Sequence, residues 1–378
     1  MEETRLEADA ASQGDASANN ITQDDAQKSR DSSTQWNTHL SLAITQYLLD
    51  KVPEFRRLTD LRQKGWKNRE GDEFFHRQRE IANNRDAKTA KIFYKVMKQI
   101  GREMQQSTGV FTLPVTGSEQ PTVLDICMAP GGYTKTALDV NPQAHVTAFS
   151  LPFSDGGYRV LLQKHPNRTT KFLDITMLAA DMGVTDIPAS HPDSDKFLPR
   201  QLSPAQLFDL VICDGNVRRQ AVAAALPAHR EKREASRLTA AQLALGLEHV
   251  RPGGAMVVLL HKVEAWQTAC LLRRFGGFAQ VRLFKPAVHH AKRSSFYMVA
   301  TDIQSRHPEA VLAVESWKGW WKAATFGSDE EYQEALRAGD PDVEEILEGF
   351  GPELVRLGKS IWDIQVTALA KAPFVRNC

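Results

Sequence analysis

An aspartate followed by an Ala-Pro-Gly-Gly turn lies in the stretch VLDICMAPGGYTK, residues 123–135. The apolar residues around Asp125 predict a β-strand, and the residues from Tyr133 onward predict a helix. A strand that leads through glycines into a helix presents unpaired backbone N–H groups, which bind anions. Gly131 and Gly132 also lack the Cβ atoms that would hold a ligand away from this backbone. The stretch therefore predicts a site for a ligand with an anionic group, the alternative being an ordinary strand-to-helix turn.

A second aspartate, Asp214, ends the apolar run FDLVICD and is followed by Gly215 and Asn216. In an open α/β sheet, ligands bind beyond the carboxyl ends of the strands. If the strands before Asp125 and Asp214 are neighbours, both carboxylates lie on this edge. The alternative role for Asp214 is to cap the helix that follows.

The glycine turn does not fit the dinucleotide fingerprint G-x-G-x-x-G, because Pro130 stands where the first turn glycine would be. It resembles the first motif of the FtsJ-like RNA 2'-O-methyltransferases, which bind S-adenosylmethionine (SAM) there. SAM carries a carboxylate, which suits exposed N–H donors. The resemblance implies six cofactor-binding residues: Asp125, Ala129, Pro130, Gly131, Gly132 and Tyr133.

The same resemblance implies a catalytic set corresponding to the Lys-Asp-Lys-Glu tetrad of the family. Asp214 matches the aspartate, in a turn shortened to Asp-Gly-Asn without the usual proline. Lys95, in a predicted helix before the glycine turn, is the closest match to the first lysine. Lys91 and Lys98 are its neighbours on that helix, and a solvated basic face is the alternative meaning of all three.

The other two positions of the tetrad depart from the family pattern. After the helix–Arg-Pro-Gly-Gly–strand pattern at residues 237–260, Leu259 stands closest to the place of the second lysine, and Lys262 comes three residues later. A regular strand would turn Lys262 to the opposite face, unless a bulge or an earlier strand end restores it. Ser295 stands where the glutamate is expected. A serine can hydrogen-bond a lysine or a ribose hydroxyl, but it supplies no charge.

Such a set would remove the proton of a ribose 2'-hydroxyl, which is a poor nucleophile. A lysine acts as this base only if its pKa falls well below about 10.4. A second cation and desolvation both lower that pKa, which explains the value of pairing Lys95 with Lys262. Asp214 would orient the lysine and the hydroxyl, and this chemistry requires no metal.

Further cofactor and RNA contacts are predicted along the same edge. Ser150 ends the second strand, and Asp174 resembles the family aspartate that accepts from the adenine amino group, with Asp181 as the fallback. The region from Arg56 to Arg102 holds fourteen Lys or Arg residues against six Asp or Glu, in a chain of net charge +1. Basic residues position RNA through its phosphates. The other basic residues predicted at this rim are Arg218, Arg219, Lys285, Lys292 and Arg293.

Strands and helices alternate from Val123 to about Ala300, which predicts an α/β fold with a doubly wound, mostly parallel, seven-stranded sheet. The predicted strands are 122–127, 145–150, 170–173, 208–213, 255–260, 280–284 and 296–300. The predicted helices are 132–139, 156–164, 237–250 and 264–275.

Four regions follow from composition and pattern. They are a disordered tail (1–35), a basic helical extension (36–105), an α/β region (106–302) and a helical C-terminal extension (303–378). The resemblance implies that residues 106–302 are the FtsJ-like methyltransferase domain. Four cysteines without zinc spacing argue against a metal site and a disulfide framework. The chain has no signal-like start and no apolar run of roughly 20 residues, so we expect an intracellular protein, nuclear or cytoplasmic, away from membranes.

The sequence thus predicts a SAM-dependent methyltransferase that modifies a ribose 2'-hydroxyl of RNA. Ser295 and the displaced Lys262 leave open a second reading, in which the fold binds SAM and RNA without catalysis. A methyltransferase for a non-RNA substrate is the third.

Overall fold

A computed structural model describes residues 32–84, 86–114, 120–217 and 228–376 of the chain. Seven strands form one sheet in the order β3-β2-β1-β4-β5-β7-β6. They are β1 (Thr122–Asp125), β2 (His145–Ser150), β3 (Arg168–Phe172), β4 (Phe208–Cys213), β5 (Val250–His261), β6 (Gln280–Phe284) and β7 (Ser295–Ile303). Strand β7 runs antiparallel to β5 and β6, and the other neighbours are parallel. The predicted α/β fold with a mostly parallel seven-stranded sheet is confirmed.

Helices cover the sheet, and further helices form an extension at each end of the chain. They are α1 (Ser32–Lys51), α2 (Pro53–Trp66), α3 (Arg69–Asn83), α4 (Ala87–Thr108), α5 (Gly132–Val140), α6 (Ala228–Glu231), α7 (Glu234–His249), α8 (Trp266–Gly276), α9 (Pro308–Phe326), α10 (Asp329–Arg337), α11 (Val343–Glu345), α12 (Gly351–Ala370) and α13 (Pro373–Arg376). Within the described residues, none of them is both long and apolar enough to cross a membrane.

Two apolar cores lie on the two faces of the sheet. Strand β4 is buried along its whole length, as expected for a central parallel strand covered on both faces. Alternate residues of β4 pack into the cores on opposite faces of the sheet. Leu210 packs with residues of α4 and α5, and Val211 packs with residues of α7 and α8. Helices α4 and α5 therefore form one layer, and the first turn of α5 lies at the edge where β1, β2, β3 and β4 end. We call this the carboxyl edge.

The N-terminal and C-terminal helical extensions pack against each other. Phe55 of α2 and Trp362 of α12 meet edge to face with ring centroids 5.2 Å apart. Arg62 of α2 donates to Glu264, at 2.6 Å, and to Gln365 of α12, at 2.9 Å. Because Glu264 belongs to the loop after β5, the two extensions jointly hold that loop at the carboxyl edge.

The structure differs from the predicted local structure most clearly at three places. Residues 156–164 are not a helix, because Gly156 has φ +103° and two backbone N–H groups, of Asp155 and Gly157, fold back onto Pro152 O. Strand β5 extends beyond the predicted 255–260 at both ends. Helix α1 begins at Ser32, inside the predicted tail, while residues 1–31 lie outside the described residues.

Candidate active site at the carboxyl edge

The glycine turn places the first turn of α5 at the carboxyl edge. Gly131 occupies the position before α5 with φ +107°, a conformation that favours glycine. A Cβ on Gly132 would lie 2.3 Å from Met97 Cβ, so α4 packs directly on the start of α5. Gly131 has no side chain with which to cap the helix, and the first N–H groups of α5 therefore suit the carboxylate of SAM. The residues present fit this cofactor.

Three other residues of this motif form the turn, and two of them, Asp125 and Pro130, are buried. Asp125 Oδ2 accepts a 2.6 Å hydrogen bond from Thr134 Oγ1 in α5, and burial raises the pKa of Asp125 to about 7. Pro130 O accepts from Leu161 N at 3.0 Å, and Ala129, before it, is half-buried. Asp125 thus ties the strand end to the helix start, which fixes the shape of the turn.

A chain of hydrogen bonds joins α5 to β4 through two tyrosines. Tyr133 Oη lies 2.5 Å from Tyr297 Oη, and Tyr297 Oη donates to Asp214 Oδ1 at 3.2 Å. Both tyrosines are buried, whereas Asp214 keeps part of its surface open. Burial and the nearby Asp125 raise the pKa of Asp214 to about 8. The edge therefore carries a carboxyl group that titrates near neutral pH, as a general base requires.

Leu259 lies on β5, between β4 and β7, at the place where the family pattern has its second lysine. It pairs with Tyr297 across β5 and β7, and the residue before it pairs with Cys213, the residue before Asp214. Lys262 follows the end of β5, about 10 Å farther along at roughly 3.3 Å per residue. Its backbone N–H donates to Ser294 O at 3.2 Å, and its φ is +47°.

The backbone contains neither the bulge nor the earlier strand end that would bring Lys262 to the face of the missing lysine. Strand β5 continues to His261, and its register with β7 is continuous from Met256 onward. The backbone therefore does not return Lys262 to the place beside Asp214, and a catalytic role for it stays a prediction.

Ser295 is fully buried at the start of β7 and faces a histidine. Its Oγ lies 3.2 Å from Nδ1 of His290, whose ring stacks on Tyr297 with centroids 6.4 Å apart. Its carbonyl oxygen accepts from Lys285 Nζ at 2.8 Å. These contacts place Ser295 in the packing around Tyr297, and a catalytic role for it stays a prediction.

Two of the three cations predicted to contact phosphates in the segment between β6 and β7 are buried, so that prediction was wrong for them. Lys285 is buried and also donates to Arg293 O at 2.6 Å, while buried Arg293 donates to Gln78 of α3 at 2.8 Å. Both cations hold the loop together and are not on the surface. Lys292 Nζ lies 4.9 Å from the ring centre of Phe74. Arg218 and Arg219 lie outside the described residues.

Lys95 lies on the exposed side of α4, near the carboxyl edge. It is two residues before Met97, which packs on Gly132, and one turn before Gln99, whose Oε1 lies 2.9 Å from His289 Nε2. Lys98 instead lies over the ring of Tyr94, 4.9 Å from its centre. Lys95 therefore stays a predicted catalytic residue.

The carboxylate expected to bind adenine takes part in a buried ionic network. Asp174 accepts from Thr176 N at 2.9 Å, and its other oxygen accepts from Arg230 at 2.7 Å. Arg230 also bonds Glu234 at 2.6 Å, and Glu234 contacts Arg237 at 2.9 Å. One oxygen of Asp174 is therefore fixed by an arginine that sequence reasoning did not connect with it.

The remaining cofactor predictions fall at the ends of β2 and β3. Ser150 is buried at the end of β2, where its Oγ lies 3.5 Å from Leu151 O. Asp181, the fallback for Asp174, is fully buried and accepts from the backbone N–H groups of Gln201 and Leu202. It therefore fixes a loop, which leaves Asp174 as the adenine-side prediction.

Sequence reasoning missed Tyr297, although a signal was present. Tyr297 is two residues after Ser295 on the same strand, so both side chains lie on one face of the sheet. For Arg230 no comparable signal exists, because 56 residues separate it from Asp174. Within the described ranges, no group of three or more His, Cys, Asp or Glu side chains is arranged to hold a metal ion.

A seven-stranded sheet with one antiparallel strand, and a glycine turn after β1 that fits SAM, define a SAM-dependent methyltransferase. The sequence profile of the FtsJ-like methyltransferases matches residues 102–303, more than half of the 378 residues. The chain belongs to this family. A sequence comparison with curated proteins finds no significant match.

Several solved methyltransferase structures resemble the chain at low sequence identity. Human N-acetylserotonin methyltransferase in complex with SAM is 12% identical, over 67% of this chain and 68% of its own, with a TM-score of 0.33. An O-methyltransferase family protein from Burkholderia thailandensis is 13% identical over 66% and 72%, with a TM-score of 0.32. An rRNA methylase from Streptococcus thermophilus is 13% identical over 53% and 96%, with a TM-score of 0.30.

Proposed function

We propose that this methyltransferase transfers the methyl group of SAM to a ribose 2'-hydroxyl of RNA. The observation that carries this proposal is the hydrogen bond from Tyr297 to Asp214 beside the glycine turn. It fixes a half-buried carboxyl group, with a pKa near 8, at the place where an acceptor hydroxyl would meet the cofactor. Membership of the FtsJ-like family supports RNA as the substrate class.

Asp214 would serve as the base for the acceptor hydroxyl. Bound SAM supplies a methyl group activated by a positively charged sulfur. During methyl transfer the Asp214 carboxylate would hold the acceptor hydroxyl and take up its proton. A base works best when its pKa is close to the working pH, which a value near 8 satisfies.

Tyr297 would hold Asp214 in the orientation that this transfer needs. Its hydroxyl donates to one carboxylate oxygen, so the other oxygen is left to face the acceptor. Tyr133 restrains the same hydroxyl from the α5 side. Positioning of this kind accounts for much of the rate gain of enzymes that bring two reactants together.

The basic surface of α2 to α4 supports an RNA substrate. The region from Arg56 to Arg102 has eight more basic than acidic residues, while the whole chain has a net charge of +1. Part of this charge is used internally, as in the pair of Arg62 with Glu264. The exposed Lys91 lies on α4 one turn before Lys95, near the carboxyl edge, where it would contact phosphates close to the reacting ribose.

The test is methyl transfer from radiolabelled SAM to total cellular RNA, with Asp214→Asn beside the wild type. We expect label in ribose 2'-O-methyl nucleosides, and at least a hundred-fold loss in the variant. Calorimetric titration with SAM should give similar affinities for both proteins. Label in bases or in copurifying protein would instead assign another acceptor.

A second function, SAM and RNA binding without turnover, is favoured by two departures from the family pattern. Leu259 stands beside Tyr297 where the family pattern has a lysine, and Ser295 stands in place of the glutamate. Under this reading the wild type binds both ligands without transferring methyl, and Leu259→Lys gains activity. Under the proposed function Leu259→Lys gains nothing, since Asp214 already provides the base.

A further inference from the structure

An exposed apolar and aromatic surface lies at the carboxyl edge beside the glycine turn. Its large apolar side chains are 37%, 43% and 59% exposed, for Leu151, Phe153 and Phe172 respectively. The guanidinium carbon of Arg159 lies 4.6 Å from the ring centre of Phe153. We call these four residues the β2–β3 patch.

The backbone of the patch is built by local hydrogen bonds. Two N–H groups, of Asp155 and Gly157, donate to Pro152 O at 3.0 and 2.9 Å, which places Phe153 at the tip of a tight turn. Phe172 ends β3 and pairs with Ser150, the residue before Leu151. The register of two neighbouring strands therefore sets the spacing of the apolar side chains.

The same segment continues along the predicted SAM site. Tyr158 packs edge to face on Phe93 of α4, with centroids 5.4 Å apart. Leu161 donates to Pro130 O, and Leu162 packs on Gly131. A molecule bound on the patch would therefore lie next to the turn that fits the cofactor.

The charge of the segment indicates what covers the patch. Residues 151–172 contain four basic side chains and one acidic side chain, Asp155. Arg168 and Lys171 donate to backbone carbonyls, of Leu162 and Gln201, while Arg159 and Lys164 are exposed. Together with the exposed rings, this charge suits a partner that combines negative charge with flat apolar groups. Unpaired nucleobases on a phosphate backbone have this chemistry, because they stack on aromatic rings and on arginine planes.

We propose that the β2–β3 patch is a platform on which a nucleobase of a single-stranded RNA substrate stacks. The inference rests on the proposed function and narrows its substrate to RNA with unpaired bases near the modified ribose. Bases in a duplex are already stacked, so they cannot use the platform. The patch would hold the flanking nucleotide while the ribose reaches Asp214.

The test measures binding without turnover, on the full chain saturated with S-adenosylhomocysteine. The probe is a fluorescein-labelled 12-nucleotide oligo(A) RNA, followed by anisotropy at 50 and 150 mM KCl. The variants are Phe172→Leu and Phe153→Leu, which remove a ring and keep an apolar side chain. Phe172→Trp keeps a ring. The control, Leu312→Ala, changes an α9 side chain that is 68% exposed.

Loss of one stacking ring is expected to weaken single-strand binding roughly ten-fold. Phe172→Trp and Leu312→Ala should bind like the wild type, and a 12-base-pair RNA duplex should be insensitive to all variants. Calorimetry should give S-adenosylhomocysteine affinities within two-fold of the wild type.

Other outcomes separate the failure of the platform from the failure of the proposed function. If the wild type binds RNA and the Leu variants match it, the platform is wrong while RNA remains the substrate. If cofactor affinity falls with RNA affinity, the patch belongs to the adenine site and the proposal is overturned. If the wild type binds no RNA at either salt concentration, both proposals fail.

Discussion

Tyr297 Oη donates a 3.2 Å hydrogen bond to Asp214 Oδ1, and Tyr297 Oη also lies 2.5 Å from Tyr133 Oη. This relationship links the strand that ends at Asp214 to the helix that begins after the glycine turn. Since both tyrosines are buried, neither hydroxyl can exchange its partner for bulk water. The orientation of Asp214 is therefore set before any ligand binds.

Replacing Tyr297 by phenylalanine should lower kcat roughly ten-fold and leave SAM affinity within two-fold of the wild type. The ring still packs, but Asp214 loses the donor that orients it and lowers its pKa. Single-turnover methyl transfer and calorimetry measure the two effects. Tyr133→Phe is the comparison variant: it removes the hydroxyl that restrains Tyr297 but keeps the bond between Tyr297 and Asp214, so its loss of kcat should be smaller. Equal losses in both variants would point to general damage of the core.

The pH dependence of kcat/KM should rise tenfold per pH unit below pH 8 and level off above it. Only deprotonated Asp214 can accept the hydroxyl proton, and its pKa is about 8 because of burial and the nearby Asp125. In Tyr297→Phe the midpoint should move to higher pH, since loss of a hydrogen bond to the carboxylate disfavours its charged form. A profile that falls between pH 7 and 9 would argue against a carboxylate base.

The sequence alone predicted that Asp125 and Asp214 lie at one edge of the sheet. Asp125 ends β1 and Asp214 directly follows β4, and these two strands pair, so the alternation of strands and helices was enough to predict one shared edge. The bounds of β2, β4 and β6 also match their predicted ranges. These features depend on local pattern, which a single sequence contains.

The parts that sequence reasoning missed depend on contacts between distant segments. Lys285 and Arg293 look like surface cations in the sequence, yet both are buried because α3 and the carbonyl groups of their own loop surround them. Residues 156–164 have apolar residues at helical spacing, but the backbone folds back onto Pro152 and Pro130 instead. No periodicity in one segment reports the partner that another segment supplies.

Asp125→Asn should make the stability of the ligand-free protein less dependent on pH. Burial raises the pKa of Asp125 from an ordinary value near 4 to about 7. The folded state therefore binds the proton more tightly than the unfolded state, and wild-type stability falls as pH rises from 4 through 7. Between pH 5 and 8 the wild type should lose roughly 1–3 kcal/mol more than the variant, at about 1.4 kcal/mol per pKa unit.

Urea unfolding at pH 5 and pH 8 measures this difference. Asp155→Asn is the control, because it makes the same Asp-to-Asn change at an exposed position in the turn after β2. Identical pH dependence in the wild type and in Asp125→Asn would show that Asp125 stays charged in the folded protein.

Arg230→Met should destabilise the protein by about 3–5 kcal/mol, because removal of one partner leaves buried charges uncompensated. The guanidinium of Arg230 contacts Asp174 at 2.7 Å and Glu234 at 2.6 Å, and both Arg230 and Glu234 are buried. Methionine replaces the apolar stem of the side chain and keeps most of its packing. SAM affinity should fall as well, since Asp174 loses the contact that fixes its orientation at the end of β3.

Arg356→Met is the matched control for this cation. Arg356 forms a pair with Glu353 on α12, and its side chain is 65% exposed. Exposed pairs contribute little, so we expect a change in the free energy of unfolding of less than about 1 kcal/mol and unchanged SAM affinity. Urea unfolding and calorimetry measure both quantities. Equal destabilisation by the two variants would mean that Arg230 contributes no more to stability than an exposed cation. Unchanged SAM affinity in Arg230→Met would mean that cofactor binding does not depend on the orientation of Asp174.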